Sequence, residues 1–286
     1  MKKTGKKVFR RILAIAMVCT MLLSSGIVSF AAYAVGDGSN NADTVVDAEG
    51  ISRYEMNFNS NWKFNLGDVP TARYKAYSDS DWRTVELPHD FSIEQDFTNS
   101  GTETESGNLP GGTGWYRKMF TLPGTIRGKR IILNFDGAYS DTYVYVNNKY
   151  VGENHYGYNS FSFDITDYIA CNGSTVNLIA VKVVNEIPNS RWYSGSGINR
   201  DVTLTIVDPV HVAHYGTKVV TTETGSGASA RVTGEARATV SLKNESEETA
   251  NVTVGAVVLD SNGNEVSSES RTAASIPSKG TSAVSL

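Results

Sequence analysis

Short runs in which apolar and polar residues alternate recur from Asn61 to the end of the chain. A period of two is the mark of a strand with one buried face. NWKFNLG (61–67), GWYRKMFTL (114–122), KRIILNFDG (129–137), DTYVYVNN (141–148), NSFSFDIT (159–166), TVNLIAVKVV (175–184) and RDVTLTIVD (200–208) all follow it. Asn147-Asn148 predicts a tight hairpin, because asparagine tolerates the left-handed backbone that such turns demand. No stretch beyond the first 34 residues sustains a helical period for three turns. The pattern predicts an all-β protein, and uneven strand lengths favour a sandwich over a barrel.

Asp208-Pro209 interrupts the pattern. Proline cannot extend a central ladder and restrains the residue before it, so a domain boundary is expected here. Beyond it VHVAHYGTKVVTT, EARATVSLKN, ANVTVGAVVLD, EVSSESRTA and TSAVSL alternate again, poorer in aromatics and richer in Ser, Thr and Val, with DSNGNE (260–265) as a hairpin tip. This predicts an immunoglobulin-like sandwich. Such a domain needs about 100 residues, and 209–286 holds 78, so an incomplete second sandwich is the expectation.

The N-terminus reads differently. Six basic residues (Lys2, Lys3, Lys6, Lys7, Arg10, Arg11) precede an apolar run from Ile12, and Ala32-Tyr33-Ala34 offers a small-x-small cleavage site. Residues 1–34 are therefore expected to be a secretory signal, and the polar, acidic stretch 35–50 a flexible leader. Export changes the charge. The chain carries 26 Lys and Arg against 30 Asp and Glu; without the signal the balance is 20 to 30, a net of −10. An acidic chain without a basic patch argues against nucleic acid and against an anionic membrane once the signal is cleaved. Cys171 would be the one remaining cysteine, so no internal disulfide is expected, and the fold must rest on its apolar core.

The densest chemistry lies in PNSRWYSGSGINRDVTL (188–204). Arg191, Trp192 and Tyr193 put a guanidinium beside two aromatic faces, a combination able to bond sugar hydroxyls while stacking on the ring's C–H face. Gly195 and Gly197 permit the tight backbone. A purely structural alternative stands beside this: Trp192 filling the core and Arg191 paired with a carboxylate. In VELPHDFSIEQDF (85–97), Asp90 could accept sugar hydroxyls, pair with Arg191, or simply cap a turn. GNLPGGTGWYRKMF (107–120) lacks the spacing of a phosphate loop. His211 and His214 fall three apart on a strand, facing opposite ways, so no metal pair is expected there. The acid pairs Glu94/Asp96, Glu103/Glu105 and Asp164/Asp167 read as solvated surface. No metal or cofactor is expected.

Several motifs in order give the chain a family resemblance. FNSNWKF, DSDWRTVELPHDFSIEQDF, GGTGWYRKMFTLP, GKRIILNFDGAYSDTYVYVNNKYVG, GYNSFSFDIT and NSRWYSGSGINRDVTLTIVDPVHV together resemble the N-terminal part of glycoside hydrolase family 2, especially secreted bacterial β-galactosidases. Phe91 stands where many members have Trp. The resemblance implies a jelly-roll sugar-binding domain (51–208), an immunoglobulin-like sandwich (209–286), and a partner (β/α)8 barrel with two catalytic Glu residues. Such a barrel takes about 250 residues, so residues 1–286 are expected to be inactive alone, and none is nominated as acid or nucleophile. The resemblance also implies that Asp90, Arg191 and Trp192 lend a wall to the galactose subsite. A stand-alone secreted carbohydrate-binding protein is the alternative.

Overall fold

Every alternating run forms a strand in the computed structural model, which describes residues 17–22, 52–224 and 233–286. The expected leader 35–50 lies outside the described residues, as does the expected signal apart from 17–22. The strands are β1 (Met17–Leu22), β2 (Arg53–Asn57), β3 (Trp62–Leu66), β4 (Arg83–Val85), β5 (Gly112–Phe120), β6 (Arg130–Phe135), β7 (Asp141–Val146) and β8 (Lys149–Asn154). There follow β9 (Phe161–Asp164), β10 (Asn177–Asn185), β11 (Val202–Val207), β12 (Val210–Thr224), β13 (Thr233–Asn244), β14 (Ala250–Leu259), β15 (Glu265–Ile276) and β16 (Thr281–Ser285). Among the described residues the helical segments are single 3-10 turns. The chain is all-β. It divides into two compact units, one ending at Asp208 and the other containing Pro209–Leu286.

The first unit is a sandwich. One sheet has six antiparallel strands in the order β4-β3-β5-β10-β7-β8, and the other four in the order β2-β11-β6-β9. Alternation puts Tyr116, Val144, Val146, Val181 and Val183 on the inner face of the first sheet and Ile131, Leu133, Leu204 and Ile206 on the inner face of the second, all within one buried cluster. Each large side chain moved out of water there contributes roughly 1.5–3 kcal/mol, so this interface supplies the unit's main driving force. Asn147 and Asn148 take φ of 49° and 75° between β7 and β8, the left-handed pair of a two-residue hairpin.

The six-stranded sheet is partly covered on its outer face as well. Buried Arg117 on β5 donates through Nε to Asp79 Oδ2 at 2.7 Å and through its other nitrogens to the carbonyls of Ala72, Tyr74 and Tyr77. Guanidinium bonds to several carbonyls fix the loop between β3 and β4, which would otherwise have little sequence-local structure. Ala72 and Trp82 of that loop pack with Trp115, Leu178 and Ala180 as a second apolar cluster.

In the second unit, β12-β13-β16 form one sheet and β1-β14-β15 another. Its core is aliphatic: Val240, Leu242, Val252, Val254, Ile276 and Val284. Buried Asn244 donates to the carbonyls of Glu248, Ile276 and Pro277 while its Oδ1 accepts from Ser246. One side chain thus joins two turns. His211 is buried near Glu245 on β12, and no cluster of three or more metal-ligating side chains occurs among the described residues.

A candidate sugar-binding rim

Four connections of the first unit converge here: the segment after β4, the β6–β7 turn, the β8–β9 loop and the β10–β11 loop. The last supplies Arg191 and Trp192, and it splits into a buried half and an exposed half. Gly195 to Ile198 are buried. The backbone of 196–198 is bonded on both sides: His89 N–H to Ile198 O at 2.8 Å, Phe91 N–H to Ser196 O at 2.9 Å, and Tyr139 N–H to Gly197 O at 2.9 Å, with Gly197 N–H returned to Tyr139 O at 3.1 Å. Gly197 has φ +110°, and a Cβ there would lie 2.2 Å from Tyr116 Oη. Only glycine fits.

Asp90 ties the two halves together. Its Oδ1 accepts the N–H groups of Ser92 and Ser196, each at 2.9 Å, and Oδ2 accepts the Tyr193 hydroxyl. Of its three possible roles, the turn cap is the one the contacts display. The suggested pair with Arg191 does not form: Arg191 is exposed and, among the described residues, makes no hydrogen bond or ion pair. Burial, with the Asp90 carboxylate beside it, pushes the Tyr193 hydroxyl well above its ordinary range, so it remains a neutral donor.

Trp192 is 57% exposed, which excludes the core-filling alternative. Its Nε1 donates to Tyr158 Oη at 2.8 Å, and the Tyr158 ring lies 5.4 Å from Tyr139 and 5.6 Å from exposed Tyr156. The sequence reading missed these three tyrosines. Tyr156 and Tyr158 lie at a strand border, in a segment marked by its aromatic density, HYGYNSF. The result is a rim of aromatic faces flanked by an unpaired guanidinium, a surface suited to C–H stacking and hydroxyl bonding.

Behind Asp90 lies a second polar group. Buried His89 has Nδ1 at 2.8 Å from Tyr116 Oη and Nε2 at 3.2 Å from Glu94 Oε1, with Arg83 3.1 Å from Nε2 and itself paired with Glu94. Burial lowers the His89 pKa, and the Glu94 carboxylate opposes this only in part. Glu94 is therefore no free surface acid. Neither is Asp164, which accepts from Arg130 at 2.6 Å and from the Thr166 hydroxyl at 2.6 Å. Asp164 corrects the solvated-surface reading, because strand pairing brings Arg130 alongside, whereas Glu94 is paired yet stays exposed. An open groove of about 650 Å³ adjoins Arg83 and Glu94, floored by Phe64 and Phe91, and does not reach Arg191 or Trp192.

Residues 56–208 match the family described as glycosyl hydrolases family 2, sugar binding domain. The chain belongs to glycoside hydrolase family 2. It is 41% identical over 216 residues to the β-galactosidase BoGH2A of Bacteroides ovatus, covering 75% of this chain and 25% of that enzyme. A β-glucuronidase of Formosa agariphila is 31% identical over 249 residues, covering 79% and 25%. The crystal structure of a family 2 member from Bacteroides cellulosilyticus superposes with a TM-score of 0.74 at 36% identity, over 81% of this chain and 30% of that one. The Bacteroides uniformis β-glucuronidase gives 0.69 at 29%, over 82% and 27%. The chain spans about a quarter of the length of these curated relatives and corresponds to the N-terminal region of family 2 glycosidases.

Proposed function

We propose that this chain is the non-catalytic N-terminal region of an exported bacterial family 2 glycosidase that hydrolyses terminal β-galactosides, and that its jelly-roll unit supplies part of the sugar subsite wall. One observation carries the reading: Arg191 and Trp192 stand exposed on a loop whose other half, Gly195 to Ile198, is buried and bonded on both sides. A rigid base with exposed polar and aromatic tips is what sugar positioning requires, since a group held in place loses little freedom on binding. The relatives named β-galactosidase support the substrate class.

The chemical step falls to a partner (β/α)8 barrel. In a retaining reaction one carboxyl protonates the leaving oxygen while a second, about 5–5.5 Å away, forms and then releases a covalent glycosyl intermediate. The residues of this chain would orient the sugar from the side. Arg191 would donate to ring hydroxyls, and Trp192, steered by its bond to Tyr158, would cover the apolar face. A β-glucuronide is the second reading. It is favoured by the unpaired Arg191 guanidinium, a partner for a sugar carboxylate, and by the relatives named β-glucuronidase.

Assaying the full-length protein on nitrophenyl β-galactoside and nitrophenyl β-glucuronide separates the two readings. Turnover of the galactoside alone supports the first, turnover of the glucuronide alone the second, and inactivity on both refutes both. A wall without a floor binds weakly, so galactose titrated into residues 35–286 should show millimolar or undetectable affinity. A micromolar site would instead make this a stand-alone carbohydrate-binding protein.

A further inference from the structure

Tyrosines also gather away from the rim, on the outer face of the six-stranded sheet. Along β7 the buried positions are Thr142, Val144 and Val146, which turns Asp141, Tyr143 and Tyr145 outward. The register sets Glu153 of β8 opposite Tyr143, and Tyr150 opposite Tyr145. Tyr150 is 49% exposed, and its ring lies 5.7 Å from that of Tyr145. The Arg73 guanidinium, 6.0 Å from the Tyr145 ring and 4.8 Å from that of Tyr74, continues the patch onto the β3–β4 loop. Beside Tyr74 the surface dips into a hollow of about 530 Å³ lined by Thr71, Tyr77 and Asn148.

Most of the charges in this patch are paired, while Arg73 donates to the Tyr74 hydroxyl and Lys75 to the Val176 carbonyl. Lys182 pairs with Asp68 at 2.9 Å. His155, its ring 5.9 Å from Tyr143, lies 2.8 Å from Asp141 and 3.1 Å from Glu153. Arg73 and Lys75, each already bonded within the unit, fall short of the basic stripe that a nucleic acid or an acidic polymer requires. What remains is a row of aromatic faces, about 7 Å apart along the strand, with hydroxyl, amide and paired ionic groups between them. Apolar ring faces interleaved with hydrogen-bonding groups fit a ligand whose faces are C–H and whose edges are hydroxyl.

We propose that this outer face is a second carbohydrate platform, binding an extended neutral oligosaccharide along Tyr143, Tyr145, Tyr150 and Tyr74. It is distinct from the rim and does not depend on the rim's assignment. Its role is to hold a polymeric glycan near the enzyme rather than to place one sugar for hydrolysis.

Electrophoresis of the chain through native gels tests the platform. One series contains soluble β-1,4-galactan, a second xyloglucan, a third polygalacturonate, and a fourth no polymer. At least one neutral polymer should retard the protein, and polygalacturonate should not. The double variant Tyr143→Ala/Tyr150→Ala should weaken that retardation about tenfold, given two lost aromatic contacts. Tyr143→Phe/Tyr150→Phe, which keeps the rings, should retain most of it. Arg191→Ala and Trp192→Ala should leave it unchanged while lowering turnover in the full-length protein, so the rim and the platform fail separately. The proposal is overturned if no neutral polymer retards the chain, if the alanine double variant runs like the parent while its thermal melt is normal, or if polygalacturonate is preferred. A tyrosine-dependent dimer in the gel without polymer would also overturn it, by assigning the face to a second copy.

Discussion

Two stretches of one loop, separated by Ser194 alone, obey opposite rules. Gly195 to Ile198 are buried, with backbone bonds to His89, Phe91 and Tyr139. Arg191 to Tyr193 are exposed. In the first stretch Gly195, Ser196 and Gly197 are small because backbone must fit against backbone and against Tyr116, and Ile198 enters the core. In the second the side chains are large and reach outward, with Tyr193 and Trp192 anchored by their polar tips. The contrast teaches that residue types in a loop report two separate demands, one on geometry and one on chemistry. Asp90 bridges the two, holding Ser196 N–H with one oxygen and Tyr193 with the other.

The most severe break should come from Gly197→Ala. It sets a Cβ at φ +110°, 2.2 Å from Tyr116 Oη, and the combined strain and overlap should cost about 3 kcal/mol or more. Chemical denaturation would read this as a lower midpoint at unchanged slope; wild-type stability would show that the buried half is not a rigid base. Asp90→Ala comes next. Leaving two backbone N–H groups and the Tyr193 hydroxyl without their carboxylate should cost about 2–3 kcal/mol, and should raise proteolytic nicking in 190–196. An unaltered midpoint would mean that the cap holds nothing.

A smaller effect sharpens the picture through pH. The pKa of His89 is lowered in the folded state from an ordinary 6.5, by burial against the partial opposition of Glu94. A depressed histidine pKa means that the unfolded chain binds the proton more readily, so stability is full above about pH 6.5 and declines as pH falls below it. His89→Gln should flatten that decline between pH 7 and 5, as read by thermal melts. A slope identical to wild type would assign the decline to other groups. Arg191→Ala and Trp192→Ala should be almost silent in stability, within about 0.5 kcal/mol.

The strands were largely legible because most alternate against one core, although β5 and β10 are covered on both faces. β1 and β2 were not legible, β1 (Met17–Leu22) falling inside the stretch read as a secretory signal. The rim was half legible. RWYSGSG announces itself by composition, and its glycines point to backbone constraint. Tyr139, Tyr156 and Tyr158 do not, because the first enters from the β6–β7 turn and the other two from the β8–β9 loop, and they meet only once the sheets have formed. The same holds for Asp164 and for the ion pair of exposed Glu94. A carboxylate in a polar segment looks solvated until a partner such as Arg83 or Arg130 is brought alongside by strand pairing.

The central claim is that exposed tips on a rigid base position a sugar for another domain, and its most direct test is kcat/KM of the full-length protein on nitrophenyl β-galactoside with Arg191→Ala and Trp192→Ala. A loss of about tenfold or more with an unchanged melting temperature is the predicted result. Parent-like kcat/KM in both variants would contradict it and leave the loop a structural crossing.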